Sequence, residues 1–528
     1  MSRMKSRVNG GVNCTAQVDP ANILEADNAT QGVAEKSTRW HTSYKGGHMT
    51  KPTDGSGNLC LRFLPLLFLV AIGTLGIVAQ RETGDWPQFG WDLASSSAPT
   101  YATGITAANV GTLTRRQVTL DGTVDGSPIY LRGVTVKGSK HDVFFVTTTY
   151  GKTIAVDAAT GTILWEYTPP KYDSLHGSAQ VTNSSPVADP DREYIYAAVP
   201  DGTVQKLAVS DGHALWATSI TLMPTKEKIA GALKVFHGRV VAVTGGYVGD
   251  RPPYQGHVVT LDAQSGRLLH VWYSLCNDRT ALYMPNTCPQ SDSAIWGRAG
   301  AVIDAGTGNI FVATGNGDYD GKTNWGDAVI ELNPDATQII GNYTPANNAE
   351  LNRRDLDVGS AAPAMLGGDL LAQGGKDGVF WLISIKAMTG SASHMGGELQ
   401  TIPTPSAARQ FPTAPAVWHH GTETWMFAAD FGATAAWTIK DGKLSPMWKN
   451  SNGGTSPVVA GGLLYVYDAA GGLRIYDPVK GTQLVDLQCG AGHWNSPIVV
   501  DGKVALPEGN ANMHTTTGVL DIWSLPGR

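Results

Sequence analysis

The hydrophobic positions of this chain fall in short apolar runs broken by turn residues, and the pattern repeats. A small residue and a proline open one run at Ser127-Pro128-Ile129, and Phe144-Phe145-Val146 forms the next. Ile154-Ala155-Val156 then runs into Asp157-Ala158-Ala159-Thr160-Gly161 and closes on Leu164-Trp165. The phrase returns from Ser185-Pro186-Val187 through Tyr194-Ile195-Tyr196 to Ser210-Asp211-Gly212 and Leu215-Trp216. Apolar runs this short, bounded by Gly, Pro and Asp, predict strands rather than helices. Proline fits the first position of a strand because it need not donate to the ladder there. The glycine supplies the positive φ of a tight hairpin. A repeat on the order of 40 to 60 residues predicts a propeller or a solenoid.

Further starts lie at Ala230-Gly231-Ala232, Trp296-Gly297-Arg298, Ala362-Pro363, Ala414-Pro415, Ser456-Pro457 and Ser496-Pro497. Matching strand-turn endings run from Val258, Ala328, Val379, Ala435, Leu473 and Val519. The expectation is an all-β fold, an eight-bladed β-propeller of four-stranded antiparallel blades over residues 85–528, with seven blades as the alternative count. A ring protects its sheet edges by tying the two ends of the chain into one blade, and Asp85-Trp86-Pro87-Gln88-Phe89 is the candidate clasp. Long insertions at Met223–Lys228, Tyr247–Gln255, Ser274–Ser293 and Gly317–Asp327 fall in the third and fourth blades. Such insertions map to one face, often the binding face.

Composition changes this picture little. Of 528 residues 63 are Gly and only 16% are charged, which suits strands joined by tight turns. A net charge of −6 without a basic block argues against a nucleic-acid partner. The uncharged run Phe63–Ala79, with Lys51 and Arg62 before it, reads residues 61–80 as a signal peptide or a membrane anchor. Both readings predict export, to the periplasm or beyond. Residues 1–60 then form a polar, disordered extension, with Met49 an alternative start. Cys276 and Cys288 bracket one loop, and an oxidising compartment predicts a disulfide between them. Cys489 is left over as a small buried hydrophobe. No Cys-x-x-Cys-His occurs, so no c-type haem is expected, and no Cys-x-x-Cys zinc pair is present. A metal would have to be held by oxygen.

Asp85-Trp86-Pro87-Gln88-Phe89-Gly90, Gly104-Ile105-Thr106-Ala107-Ala108-Asn109-Val110-Gly111 and the Asp-Ala-x-Thr-Gly-x-x-x-Trp ending together resemble the pyrroloquinoline-quinone (PQQ) dehydrogenase propellers, from Asp85 to the C-terminus. The repeat is also shared by non-catalytic outer-membrane assembly lipoproteins, so activity must be argued from the site. The resemblance implies an axial quinone stacked on a Trp, a bridging Ca²⁺, a carboxylate base and a cation on the quinone oxygens. By motif these fall on Trp296 in Ile295-Trp296-Gly297, Asn316 in Thr314-Gly315-Asn316, Asp357 in Asp355-Leu356-Asp357 and Lys376 in Gly375-Lys376-Asp377-Gly378. Asn316 and Asp357 would bind the metal, Asp357 and Lys376 would serve catalysis, and Trp296, Asn316 and Lys376 would hold the quinone. Two departures stand out. The family's adjacent cysteines are replaced by Thr182-Asn183-Ser184-Ser185, and its metal-binding Glu is missing from Gly245-Gly246-Tyr247-Val248-Gly249-Asp250, where Asp250 is the nearest substitute.

The same residues have plainer readings. Asp355 and Asp357 fit turns between blades, Lys376-Asp377-Gly378 a hairpin, and Trp296 a core aromatic. Asn316–Asp327 follows EF-hand spacing, with Asp318, Asp320 and Asp327 as alternative ligands of a structural Ca²⁺. His419-His420 and His493 lack a third ligand at metal spacing and read as hydrogen-bonded histidines. Two functions therefore stay open. One is an exported quinoprotein that oxidises an alcohol, polyol or sugar and passes electrons to a separate acceptor. The other is a non-catalytic propeller that binds a protein or glycan partner as a scaffold.

Overall fold

The computed structural model describes residues 84–247, 249, 251–408 and 411–527, so the extension, the apolar run at 61–80 and Asp250 lie outside the described residues. Eight antiparallel sheets follow one another along the chain. The first blade is Ile129–Val136, Ser139–Thr147, Thr153–Asp157 and Ile163–Tyr167, paired in sequence order, and the next six repeat this up-and-down order. In the third blade the first strand is split, Glu227–Ile229 and Lys234–Phe236 both pairing Arg239–Gly246. The ring is an eight-bladed propeller, as the repeat predicts. No helix among the described residues is long and apolar enough to cross a membrane.

Closure differs from expectation. The last blade takes three strands from the C-terminal segment, and its fourth is Thr114–Leu120, in register from Thr114 opposite Ser524 to Leu120 opposite Gly518. Asp85–Phe89 has another task. Trp86 and Tyr130 exchange backbone hydrogen bonds (2.9 and 2.8 Å), and the Pro87 carbonyl accepts from Ala188. Onward, the carbonyls of Leu93, Ser96, Ser97 and Thr103 accept from Ile303, Val417, Val459 and Gly502. The segment thus runs past the first strands of one blade after another. Pro87, which cannot donate, and Trp86 and Phe89, both about 1% exposed, suit a plug better than an added strand.

Lys234 secures the plug. It is fully buried, and its ammonium donates to the carbonyls of Phe89 (3.1 Å) and Asp92 (3.2 Å) and to Ser95 Oγ (2.6 Å). Burial pushes its pKa down to about 7 against the attraction of Asp92.

The recurring Trp and Gly meet across blades. Trp165 of the first blade lies over the turn that ends the second, donating from Nε1 to Val209 O (2.9 Å). A Cβ on Gly212 would lie 2.5 Å from Trp165 Cε3, and Gly212 holds φ +77°. Trp216 over Gly266 and Trp448 over Gly481 repeat the contact. Gly212→Ala therefore meets both a steric and a backbone penalty, and we expect a loss of about 2 kcal/mol or more in urea unfolding. Gly238→Ala, at φ +72° with nothing within 4 Å of the added carbon, should cost about 1 kcal/mol.

Candidate functional site

Because first and second strands are antiparallel, the segment entering the first and the segment leaving the second share one end of the axis. Trp296 and Arg298 precede Val302–Ile303, Asn316 follows Ile310–Ala313, Asp357 precedes Ala364–Gly367 and Lys376 follows Leu370–Gly374. The plug lies toward the other end, since its partners include Gly461 and Gly502 in turns after first strands.

Asp357 is the hub. It is completely buried; Oδ1 accepts from the Asn316 backbone N–H (2.8 Å), and Oδ2 lies 2.6 Å from Lys376 Nζ. Its carbonyl accepts from the Lys376 N–H (2.9 Å), and Lys376 Nζ also donates to Asp355 Oδ1 (2.9 Å). Burial raises the Asp357 pKa despite the opposing charge and hydrogen bond of Lys376. Burial works against the Lys376 ammonium, but the charge of Asp357 and bonds to Asp357 and Asp355 outweigh it and raise its pKa. Asp327 stands beside them. Its Oδ1 accepts from the Val358 N–H (3.0 Å), while Oδ2 is buried without a partner. Burial and then the charge of Asp357 hold its carboxyl well above the ordinary value, which favours the protonated acid.

Trp296 stands a step around the axis. Its strand start is joined to Asn316's through Ala294, whose carbonyl accepts from Gly315 (2.7 Å). A Cβ on Gly245 would lie 3.2 Å from Trp296 Cε3, so a glycine lets the strand approach the indole, whose Nε1 is buried and unpaired. Over this end run two insertions, cross-bonded by Asn277 N–H to Thr323 O (3.0 Å) and Trp325 N–H to Ser274 O (2.8 Å). The expected disulfide between Cys276 and Cys288 is formed. Cys489 is free and half-buried, its Sγ accepting from the Gly472 N–H (3.2 Å).

The structure therefore gathers Asn316, Asp357 and Lys376 in direct contact, through the backbone N–H in the case of Asn316. The EF-hand spacing does not gather its carboxylates. Asp318 is exposed, Asp327 is turned to Val358 beside Asp357, and Asp320 Oδ1 accepts from Lys322, Thr323 and Asn324 N–H (each 2.8 Å). Closing its own turn leaves Asp320 little freedom to ligate. Among the described residues the only His, Cys, Asp or Glu trio with ligand atoms within 4.8 Å is Cys489, Glu508 and Asp521. There Arg115 Nη2 already meets Glu508 (2.8 Å) and Asp521 (2.7 Å).

Sequence reasoning missed Asp327 as the neighbour of Asp357, and it missed Arg298. Arg298, 5% exposed, donates to the carbonyls of Ala230 (3.3 Å), Asp125 (3.1 Å) and Asn183 (2.8 Å), from three blades. Its place two residues after Trp296 was the available signal. Asp125 is buried and accepts from His493 Nδ1 (2.8 Å), the Trp494 N–H (2.8 Å) and the Ala511 N–H (2.9 Å), so His493 is hydrogen-bonded as expected.

Residues 106–279 match the family model described as outer membrane protein assembly factor BamB. The quinohemoprotein alcohol dehydrogenase of Comamonas testosteroni is 25% identical over 298 residues, 51% of this chain and 40% of that relative. The quinohemoprotein alcohol dehydrogenase ADH IIB of Pseudomonas putida is 28% identical over 155 residues, 29% of this chain and 22% of that relative. In three dimensions the quinohemoprotein alcohol dehydrogenase ADHIIG of Pseudomonas putida covers 86% of this chain and 82% of its own, with TM-score 0.65 at 16% identity. The chain is related in sequence to the quinohemoprotein alcohol dehydrogenases over part of its length and to BamB-like propellers over residues 106–279. Its matches span less than half the length of these curated relatives.

Removing the lysine should expose the linkage at the hub. In Lys376→Met, Asp357 remains a buried carboxyl with no cation, so its folded pKa rises further above the unfolded value. The folded state then holds a proton that the unfolded state has lost, and stability falls as pH rises above the ordinary carboxyl range. We expect a loss of about 3 kcal/mol at about pH 7 and little at about pH 4, read from denaturant melts at each pH.

Proposed function

We propose that this protein is an exported quinoprotein that oxidises an alcohol, polyol or sugar at the axial site. The observation that carries the reading is Asp357, fully buried between the Lys376 ammonium (2.6 Å) and the Asn316 N–H (2.8 Å). A carboxylate so placed is a base held out of water. The residues fit a planar quinone: Trp296 offers an aromatic ring with an unpaired buried N–H, and Lys376 offers a cation beside the base. A bound pyrroloquinoline quinone would supply the two-electron acceptor that no side chain here can be.

Among the described residues the donors for Ca²⁺ do not complete a site. Calcium takes about six to eight oxygens, whereas Asp357 has one oxygen on Lys376 and the other on a backbone N–H. Asn316 can add one oxygen, and the expected Glu is absent.

The chain's own part is proton handling and positioning. Lys376 favours the ionised form of Asp357, which can then accept the hydroxyl proton of a substrate. Asp355 fixes Lys376 in place (2.9 Å). The cross-bonded insertions at Asn277 and Thr323 support a cover that limits water. A reduced quinone would need a further electron acceptor, and no Cys-x-x-Cys-His occurs in residues 1–528. Export is supported by the Cys276–Cys288 disulfide, which an oxidising compartment favours. The second reading, a binding scaffold, draws on the BamB family model and on the missing Glu.

Titration with PQQ, with and without Ca²⁺, followed by reduction of an artificial dye separates the two. We expect saturable PQQ binding and dye reduction dependent on a small alcohol or sugar; a protein that binds no PQQ at micromolar concentration is a scaffold. Asp357→Asn should keep PQQ binding and lower kcat by about a thousandfold, within the range for loss of a general base. Because burial raises the Asp357 pKa above 3.8 and the ionised form is the base, kcat should rise with pH through that raised value.

A further inference from the structure

The axial end carries a pair of side chains that the base and its lysine do not use. Asp125 precedes the first strand of the first blade and His493 that of the eighth, so both stand at the end that holds Asp357. Asp125 is buried, and its Oδ2 meets His493 Nδ1 at 2.8 Å. Oδ1 also accepts from the Trp494 N–H (2.8 Å) and Oδ2 from the Ala511 N–H (2.9 Å), which fixes the carboxylate. The His493 N–H donates to Asn495 Oδ1 (2.9 Å), which fixes the backbone as well. A carboxylate only accepts, so in the neutral ring Nδ1 carries the proton and Nε2 is an acceptor. The His493 side chain is 18% exposed, so the ring is not sealed in the core.

An aromatic wall stands beside this acceptor. The Trp494 ring lies 4.3 Å from that of His493 and 5.5 Å from that of Phe431, which is 50% exposed. Such a surface suits a carbon chain or ring that bears hydroxyls, whose C–H faces need apolar neighbours and whose oxygens need partners. Arg298 gives the scale of the axis. From the start of the fourth blade it reaches Asp125 O at the start of the first (3.1 Å), so one side chain spans three blades. Asp357 and His493 stand the same three blades apart, at the starts of the fifth and the eighth. In a ring of like blades equal steps span similar distances, so one small molecule reaches both.

We infer that His493, held by Asp125, accepts a hydrogen bond from a second hydroxyl of the substrate, so that the axial site takes a polyol or sugar in preference to an alcohol with one hydroxyl. One hydroxyl meets Asp357 and the other meets His493 Nε2. Asp125 is a positioning residue, which sets the tautomer and orientation of the imidazole. A site built to bind a hydroxyl rejects the analogue that lacks it, because its own polar group is then left without a partner. The inference rests on the axial site of the proposed function but not on its redox chemistry.

Three probes test it: n-hexanol, the hexane diol with a hydroxyl at each end, and sorbitol. Their binding is measured by calorimetry and saturation-transfer NMR on the full chain without a quinone, and their KM and kcat by dye reduction with PQQ. We expect the diol and sorbitol to bind about tenfold more tightly than hexanol. His493→Leu should erase that preference, His493→Gln, which keeps an acceptor oxygen, should retain part of it, and Asp125→Asn should lower it about threefold. With PQQ, His493→Leu should raise KM for sorbitol about tenfold more than KM for hexanol. The two polar variants carry the comparison if His493→Leu does not fold. If the diol and sorbitol are preferred through His493 but no PQQ binds, the inference stands and the quinoprotein reading falls. If none of the probes binds, if hexanol binds as tightly as the diol, or if the folded variants keep the full preference, the inference is overturned.

Discussion

The structure depends first on closure of the ring. Seven blades are continuous in sequence, but the eighth is complete only when Thr114–Leu120 pairs with Gly518–Ser524. An open ring would leave two sheet edges and would free the axial loops from their neighbours. The residues discussed at the axis lie on segments that enter a first strand or leave a second, so their positions relative to one another are set by how the blades abut. The Trp-over-Gly contacts set that abutment, and the plug at Trp86–Thr103 ties the first strands from within. Lys234 shows how firmly the plug is held. A buried ammonium with three oxygen partners persists where burial alone would expel it.

At the opposite end, charges are arranged with less than full compensation. Asp357 and Lys376 satisfy each other, and Asp355 completes the lysine's shell. Asp327 keeps a buried oxygen without a donor. A core selected for stability alone would replace such groups with apolar ones. Trp296 Nε1 and Asp327 Oδ2 are both buried there without a partner, which suits a polar planar ligand. The same inventory argues less well for calcium, whose oxygens are not assembled among the described residues.

Much of this was legible in the chain. The eight strand starts, six of them with Pro, each lead into a blade because strand punctuation by Pro, Gly and Asp is local chemistry. The disulfide was legible because Cys276 and Cys288 bracket one loop. Asn316, Asp357 and Lys376 were singled out by order and motif, and they touch. Other signals misled for a physical reason. Asp85–Phe89 reads as an edge strand, but two large aromatics and a proline make it a plug. Asn316–Asp327 has the spacing of a calcium loop, yet Asp320 is consumed by the N–H groups of its own turn. Spacing states which residues are near in sequence, not where their oxygens point.

The sequence by itself determined the repeat, the blade count, the disulfide and the order of the chemistry-bearing residues, since each follows from local patterning and short-range punctuation. Tertiary structure alone decided which strand closes the ring, which charges are buried and which of them are paired. Those outcomes depend on neighbours far away in sequence: Arg298 reaches Asp125 O across 173 residues, and His493 reaches the Asp125 carboxylate across 368. A charge on a strand start is solvated or desolvated according to what the ring brings against it. Asp327 became informative only when folding left it buried beside Asp357 with one oxygen lacking a donor.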